Sequence, residues 1–293
     1  MKRGTLMKLN SIEEQLLFST VRIESLDNSR KPISVGTGFI ILCQLMANGH
    51  KAYLISNKHV LLESSCFRIS FVKKRVPYNE PFLGEKSVFR FQYSDSYIEL
   101  HPDKNVDVAA IDITGFVQKY QNSIFFRALN YNMLATCDEE FLHISQNVSF
   151  VGYPDNRYDS QTNLPLTRSA TIASPPSLNY NGLKAFVIDG QVFPGSSGSP
   201  VVINIAKEQW SSGKIPQDST PEWLILGIVS KTMIRNNPLQ IIDSKLIENM
   251  KVAEVLGLGI IFKSTAIKEV LDLANKKFAE GNIEAGMIVW QEA

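Results

Sequence analysis

The chain has 293 residues, of which 44% are hydrophobic, and its 30 basic and 29 acidic residues give a formal net charge of +1. This hydrophobic content is sufficient to bury a full core. The balanced charge leaves no basic patch, so we expect no nucleic-acid partner. No apolar stretch of the sequence reaches membrane-spanning length, so no membrane partner is expected.

The three cysteines, Cys43, Cys66 and Cys137, have no metal-ligand spacing, and an odd number leaves at most one internal disulfide. We therefore predict reduced thiols, a cytoplasmic protein, and neither a metal nor another cofactor. The first ten residues are charged, but no apolar segment or small-residue cleavage site follows them. A signal peptide is therefore not predicted.

Short β-type runs separated by polar turns dominate the chain and are typical of sandwiches and barrels. A short helix is predicted first, over 11–16. The predicted strands of the first half are 17–23, 36–42, 52–56, 67–72, 87–93 and 108–113. Those of the second half are 147–152, 167–173, 185–188, 200–203, 223–230 and 259–262. A last helix is predicted over 264–277 because its apolar residues recur at helical spacing.

The run 193–202 carries the strongest chemical signal, because a serine flanked by glycines is followed at once by an apolar strand. Gly195 and Gly198 permit backbone conformations that other residues resist. The N–H groups of Gly195 and Ser197 are predicted to point into one concavity, where they would stabilise an oxyanion. Ser197 is therefore the candidate nucleophile.

A histidine and an aspartate with suitable settings precede this serine. His59 follows an apolar strand and a short polar stretch, which places an imidazole at the rim of a core. The other three histidines lack this setting. Asp107 stands immediately before an apolar strand and is preferred over Asp103 and Asp112. A partly buried carboxylate there would accept the second imidazole N–H and fix its tautomer.

These three settings resemble those of the chymotrypsin-like (trypsin-like) serine proteases, whose triad also runs His, Asp, Ser along the chain. The Ser-Asn-Lys sequence before His59 is similar to the bacterial high-temperature-requirement (Deg) branch. The run 226–230 resembles the strand that lines the primary specificity pocket. The run 257–262 and the helix after it resemble the last strand and closing helix of that fold. The resemblance covers about residues 14–275.

The fold class that follows is all-β, with two packed six-stranded antiparallel β-barrels and a C-terminal helix. The expected organisation is an extension over 1–13 and a trypsin-like peptidase domain over 14–275. Within that domain we expect barrel 1 over 14–115, a connecting segment over 116–140, barrel 2 over 141–263 and the closing helix over 264–277. A tail over 278–293 leaves no room for a PDZ domain.

The resemblance implies a serine endopeptidase that cleaves polypeptides through a covalent acyl-enzyme. Ser197 would be the nucleophile, His59 the general base, Asp107 its orienting carboxylate, and Gly195 and Ser197 the oxyanion donors. A catalytically silent or latent binding module with the same fold is the alternative. An activating partner protein or ligand that orders the loops is hypothesised.

Four residues are assigned to substrate binding through the same resemblance. Gln191 matches the floor of the primary pocket, and a neutral amide there argues against Arg or Lys before the cleaved bond. Ser230 matches the serine whose carbonyl pairs with substrate and whose hydroxyl supports the aspartate. Lys231 and Thr232 follow it, and Thr232 is expected to narrow the pocket. We therefore predict an uncharged residue before the cleaved bond.

Three segments have no clear counterpart in that pattern. A surface loop is predicted over 206–222. Within 234–256, apolar residues at helical spacing predict a helix over 243–255, which either regulates or covers the site or simply packs on the surface. The tail over 278–293 is an added edge strand, a partner-binding segment or a disordered end.

Overall fold

A computed structural model of the chain describes residues 7, 9, 11–44, 49–93, 97–205, 222–238, 251–279 and 287–292. The helices are α1 (Ile12–Ser19), α2 (Lys58–Leu61), α3 (Thr114–Tyr120) and α4 (Ser264–Ala279). The strands of the first half are β1 (Thr20–Leu26), β2 (Pro32–Gln44), β3 (His50–Ser56), β4 (Cys66–Arg75), β5 (Glu80–Tyr93), β6 (Ile98–Leu100), β7 (Ala109–Asp112), β8 (Ile124–Phe125) and β9 (Leu129–Asn130). The remaining strands are β10 (Asn147–Gly152), β11 (Leu166–Ile172), β12 (Ala185–Asp189), β13 (Pro200–Asn204), β14 (Trp223–Pro238), β15 (Lys251–Lys263) and β16 (Met287–Gln291).

The second half of the chain forms a closed six-stranded barrel. Its strand order is β10-β11-β12-β15-β14-β13, and each neighbouring pair is antiparallel. Closure leaves no free edge within the barrel wall. The sequence predicted all six of these strands, and the predicted barrel is confirmed.

The first half forms, together with β16 from the C-terminal tail, a ten-stranded sheet whose main path runs β16-β5-β4-β1-β2-β3-β7-β6. Strands β8 and β9 attach to β4 and β2. In the described part of the chain, the two end strands of this path, β16 and β6, do not pair, so this sheet is an open half-barrel. The predicted all-β chymotrypsin-like class is confirmed, with one closed barrel and one open sheet.

The start of β1 differs from the prediction, because helix α1 extends through Ser19 and the strand begins only at Thr20. Ser11 and Glu14 form a reciprocal capping box at the helix N-terminus. Leu16 and Phe18 are buried on the helix. Capping and burial together favour the helix over 17–19, where β-type residues had suggested a strand.

The helix predicted over 243–255 is wrong in its last five residues, which belong to strand β15. There the strand pairs with β14, from Ile234 with Val255 to Pro238 with Lys251. The two strands thus continue beyond the barrel as an antiparallel ribbon. Residues 239–250 lie outside the described residues, as do 206–221 of the predicted loop. The apolar spacing over 251–255 is short enough to suit either structure.

The C-terminal tail contributes an edge strand, which was one of the three alternatives for it. Strand β16 pairs antiparallel with β5, from Met287 with Tyr93 to Gln291 with Phe89. The Arg90 guanidinium lies 4.5 Å from the centroid of the Trp290 ring, a favourable cation–π geometry. This strand therefore covers an edge that β5 would otherwise expose.

A shared hydrophobic core joins the two halves to helix α4. It includes Phe39 and Ile55 from the first sheet, Val202 and Phe262 from the barrel, and helix residues such as Leu271. Each half also has a separate core of its own. Because the shared core contains side chains from both halves, close packing there fixes one half against the other.

The three cysteines are free thiols, and Cys43 and Cys137 are buried. Burial raises the pKa of the Cys43 thiol to about 11. None of the helices that the structure describes has both the length and the apolar composition to cross a bilayer.

Helix α4 is tied to both halves by a cluster around Glu269. The carboxylate accepts from His101 Nε2 at 2.8 Å and from the Lys184 ammonium. The His101 side chain is only 1% exposed, and its Nδ1 accepts the Asp103 N–H at 3.1 Å. Burial alone raises the pKa of Glu269, but Lys184 and His101 outweigh that effect and hold this pKa below its usual value.

We expect Glu269→Gln to lower the free energy of unfolding by about 1 kcal/mol at pH 7, since the Glu269 carboxylate is partly exposed. A lowered folded-state pKa stabilises the protein above the unfolded-state pKa, and that stability is lost as pH falls through the folded-state pKa. The difference between wild type and variant should therefore shrink below about pH 4.5, in urea unfolding measured from pH 7 to pH 3.

Glu85→Gln is the matched control, because Glu85 pairs with Lys73 in a largely exposed ion pair. We expect it to change the unfolding free energy by less than about 0.5 kcal/mol at any pH. Equal effects of the two substitutions at pH 7 would contradict a structural role for the Glu269 cluster.

Candidate active site

His59 lies on the single turn of helix α2, directly after strand β3. Its side chain is 48% exposed, so the ring is accessible from solvent. Asn57 caps the turn in an extended conformation, and its side-chain amide donates to the Asp107 carbonyl at 2.6 Å. The residue before the helix thus ties the histidine turn to the aspartate loop.

The Asp107 carboxylate receives three hydrogen bonds. Oδ2 lies 2.6 Å from His59 Nδ1 and accepts the Ser230 hydroxyl at 3.0 Å, while Oδ1 accepts the His59 backbone N–H at 3.1 Å. Burial alone raises the pKa of Asp107, but these donors outweigh it and hold the pKa below its usual value. An ionised carboxylate can only accept, so Nδ1 carries a proton, and in the neutral ring the lone pair is on Nε2.

Ser230 reaches this carboxylate because it lies at a β-bulge. Val229 pairs with Ile261 and Lys231 pairs with Ile260, which leaves Ser230 as the extra residue of β14. A bulge re-aims the side chain and frees the carbonyl of the unpaired residue. The hydroxyl is thus directed to Asp107, and the carbonyl accepts the Ser197 hydroxyl at 2.8 Å.

Ser197 lies in a tight turn before strand β13. Gly195 and Gly198 have φ of +86° and +92°, values at which residues with a side chain are strained. The Gly198 N–H donates to the Val229 carbonyl at 2.8 Å, and the Val229 N–H donates to the Ser199 carbonyl at 2.9 Å. The turn is therefore fixed to strand β14 on both sides of Gly198.

Thr37 of strand β2 fixes the same turn from the other half of the molecule. Its N–H donates to the Ser197 carbonyl at 2.8 Å, and its hydroxyl donates to the Gly195 carbonyl at 2.7 Å. The hydroxyl also accepts the Tyr153 N–H at 3.2 Å. Thr37 is fully buried, so these bonds are shielded from water.

Two backbone N–H groups of the turn are left as donors. Within the described residues, the N–H groups of Gly195 and Ser197 have no hydrogen-bond partner. The carbonyls of the same two peptide units are anchored: Pro194 O accepts from Asp155 N at 2.6 Å, and Ser196 O accepts from Ser199 N at 3.0 Å. A trans peptide directs its N–H opposite to its carbonyl, so both N–H groups have fixed directions.

The Ser197 hydroxyl donates to Ser230 and not to His59 in the part of the chain that the structure describes. The structure thus brings His59, Asp107 and Ser230 into direct contact and connects Ser197 to them through Ser230. Proton transfer from Ser197 to His59 requires the hydroxyl to turn from the Ser230 carbonyl towards the ring.

A cavity of about 760 Å³ opens over these residues. The reactive side chains on its wall are His59, Asp107, Ser197 and Ser230. Its apolar lining consists of Leu183, Val192, Phe193 and Pro194. The other lining residues are polar or charged: Lys58, Lys104, Asn105, Lys231 and Thr232.

Three of the four residues assigned to substrate binding line this cavity. Thr232 Oγ1 is buried and has no partner among the described residues, so it is a polar group that a bound molecule could satisfy. Gln191 is exposed and does not line the cavity, whereas its neighbour Val192 does. The structure therefore does not place Gln191 at the pocket floor.

Sequence reasoning missed Thr37 and Asn57 as parts of this site. Asn57 carried a signal, because it stands two residues before His59 at a helix N-cap position. Thr37 carried none, since its role depends on contact with a turn about 160 residues away.

The sequence of residues 36–208, more than half of the chain, matches the model of the trypsin-like peptidase domain family. The chain belongs to this family. The match confirms the resemblance seen in the sequence, and the matched segment contains His59, Asp107 and Ser197 of this trypsin-like peptidase domain. A comparison with curated proteins found no match.

Several solved structures are similar at low identity. A serine endoprotease from Yersinia pestis is 13% identical, with 94% of this chain and 69% of that chain covered, at a TM-score of 0.49. The active form of the Rv3671c protease from M. tuberculosis is 17% identical, with 92% and 87% covered, at a TM-score of 0.46. Both TM-scores are below 0.5, so the family assignment rests on the sequence match.

We expect Gly198→Ala to disrupt the turn that contains Ser197 in this trypsin-like peptidase domain. A Cβ at Gly198 would overlap the Thr37 carbonyl oxygen and lie 2.7 Å from Ser56 Oγ, in a conformation that is already strained for alanine. A destabilisation of about 2 to 4 kcal/mol is expected in urea unfolding.

Gly182→Ala is its matched control, because Gly182 also has a positive φ, +78°, but has no atom within 4 Å of the added Cβ. Its free energy of unfolding should fall by only about 1 kcal/mol, which is the cost of the left-handed backbone conformation for alanine. Equal losses for the two variants would show that contact with Thr37 contributes nothing.

Proposed function

We propose that the protein is a serine endopeptidase in which His59, Asp107 and Ser197 form the catalytic triad. The observation that carries this proposal is the set of hydrogen bonds at Asp107: its Oδ2 accepts one hydrogen bond from His59 Nδ1 and another from the Ser230 hydroxyl. This arrangement leaves Nε2 of the ring as a base beside the serine turn. Membership of a peptidase family supports polypeptides as substrates.

In the proposed reaction the Ser197 hydroxyl turns to His59 and attacks a peptide carbonyl carbon. The Oγ–C bond forms while Nε2 of His59 takes the hydroxyl proton. The C–N bond then breaks, and His59 returns that proton to the leaving amine. Water, deprotonated by His59, then attacks the ester carbon. As the C–Oγ bond breaks, His59 returns the proton to Ser197 Oγ and the acid product is released. The N–H groups of Gly195 and Ser197 stabilise the oxyanion in both steps.

We further propose that the peptidase domain spans 14–275, after an extension over 1–13. The region 278–293 follows it as a tail whose strand β16 is added to the first sheet.

A latent or silent binding module is the second candidate, and one observation favours it. The Ser197 hydroxyl donates to the Ser230 carbonyl, a partner that cannot accept its proton during attack. In a latent enzyme, substrate or a partner protein would have to free this hydroxyl.

Labelling with a fluorophosphonate probe separates the two candidates, because the probe reacts only with an activated serine. We expect wild type to be labelled at Ser197, as mapped by mass spectrometry, and Ser197→Ala to show no labelling. Ser196→Ala is the matched control, since the neighbouring Ser196 hydroxyl is buried and has no partner among the described residues. It should remain labelled. A folded wild type that does not react would favour the second candidate.

Asp107→Asn tests the role of the carboxylate in the same assay. The amide nitrogen would be a donor facing Nδ1, which disfavours the tautomer that leaves Nε2 free. We expect the labelling rate at pH 7 to fall by about 10³-fold or more, with the unfolding midpoint in urea nearly unchanged. A rate within about threefold of wild type would exclude Asp107 from the triad.

A further inference from the structure

The cavity over the triad contains an unusual concentration of positive charge for a chain whose net charge is only +1. Three lysines line it: Lys58, Lys104 and Lys231. The only carboxylate among the described lining residues is Asp107, which is already bonded to His59 and Ser230. Clefts lined by charge of one sign concentrate ligands of the opposite sign.

The three lysines differ in how free their ammonium groups are. Lys58 Nζ donates to the carbonyls of His101 and Asp103 at 2.7 and 2.9 Å, so two of its three donors are occupied by the protein. Lys104 and Lys231 are exposed, and within the described residues neither forms an ion pair. Their charges are therefore available to a bound molecule.

Both free lysines are close along the chain to residues of the site. Lys231 follows Ser230, whose carbonyl accepts the Ser197 hydroxyl. Lys104 lies three residues before Asp107 in a loop held by Lys58. A peptide placed for attack by Ser197 would therefore extend within reach of both flexible lysine side chains.

The Asp103 carboxylate acts on the Lys58 ammonium. It is absent from the described lining of the cavity, and its Oδ1 accepts the Asn105 backbone N–H at 2.9 Å. The apolar lining residues suit an uncharged side chain at the cleaved bond itself. The lysines suit a negatively charged side chain at a neighbouring position.

We infer that this cavity selects polypeptides carrying an acidic side chain, Asp or Glu, close to the scissile bond, through Lys104 and Lys231. This inference rests on the proposed function for its reaction, but the selection is a property of the cavity lining. The same charges disfavour substrates with Arg or Lys at that position.

The test uses quenched peptides that differ only by Glu, Gln or Lys at each of the four positions before the cleaved bond. For wild type we expect kcat/KM for Glu to exceed that for Gln by about three- to tenfold at one or more positions, with Lys the poorest. Because exposed charges are screened by salt, the preference should fall between 0.05 and 0.5 M NaCl.

The Lys104→Gln/Lys231→Gln double variant should lose the Glu preference while Ser197 remains labelled by fluorophosphonate. Lys276→Gln, on an exposed lysine of α4 that does not line the cavity, removes one charge elsewhere and should keep it. The inference would be overturned if wild type cleaved the Glu and Gln peptides with nearly equal kcat/KM, or if the double variant kept the wild-type preference for Glu.

Binding distinguishes failure of this inference from failure of the proposed function. Ser197→Ala is titrated with the same peptides by fluorescence anisotropy, which needs no catalysis. If wild type neither cleaves peptides nor reacts with the probe, the endopeptidase proposal fails, yet tighter binding of the Glu peptide still supports acidic selection. Equal binding of Glu and Gln peptides, or no binding at all, counts against that selection.

Discussion

The candidate site depends on the contact between Thr37 and the turn that contains Ser197. Strand β2 belongs to the open sheet, whereas the turn leads into the closed barrel, and Thr37 binds the carbonyls of both Gly195 and Ser197. A buried hydroxyl that loses its partners carries a large desolvation penalty, so this junction strongly disfavours relative movement of the two halves. Gly198 permits that contact, because any side chain there would overlap the Thr37 carbonyl. Ser197 is thus positioned by both halves together, which explains why the fold needs the core shared between them.

A second series of contacts holds the histidine and aspartate. It runs from Glu269 on helix α4 to the buried His101, and from the His101 carbonyl to Lys58, the neighbour of His59. Lys58 is partly buried, and burial lowers its pKa although the carboxylates of Asp107 and Asp103 act in the opposite direction. The closing helix therefore stabilises the loop that carries Asp107. The helix therefore affects the position of the Asp107 carboxylate rather than its chemical role.

Each residue of the proposed triad has a local signal in the sequence: a glycine-flanked serine, a histidine after an apolar strand and an aspartate before one. The middle of most strands was predicted for the same reason. The short strands β6, β8 and β9 were missed, since two or three residues carry no measurable periodicity. Residues 251–255 were predicted as helix because a few apolar residues fit both the helix and the strand period. Pairing with β14 makes this segment a strand. Thr37 and the bulge at Ser230 are products of tertiary packing and strand register, which single-sequence patterns do not encode.

Ser230 connects Asp107 to Ser197. As the extra residue of a bulge it uses its hydroxyl for Asp107 and its carbonyl for Ser197. Under the proposed function, a substrate main chain that donates to this carbonyl would compete with the Ser197 hydroxyl for the same oxygen. Binding would then favour release of the nucleophile towards His59, so that occupancy of the cleft and activation of the serine are coupled. Lys231 is the next residue of β14. An acidic substrate side chain bound by Lys231 would hold the substrate main chain near the Ser230 carbonyl, and so strengthen its competition with the Ser197 hydroxyl. Selection by charge and activation of Ser197 would in that case depend on the same short stretch of strand.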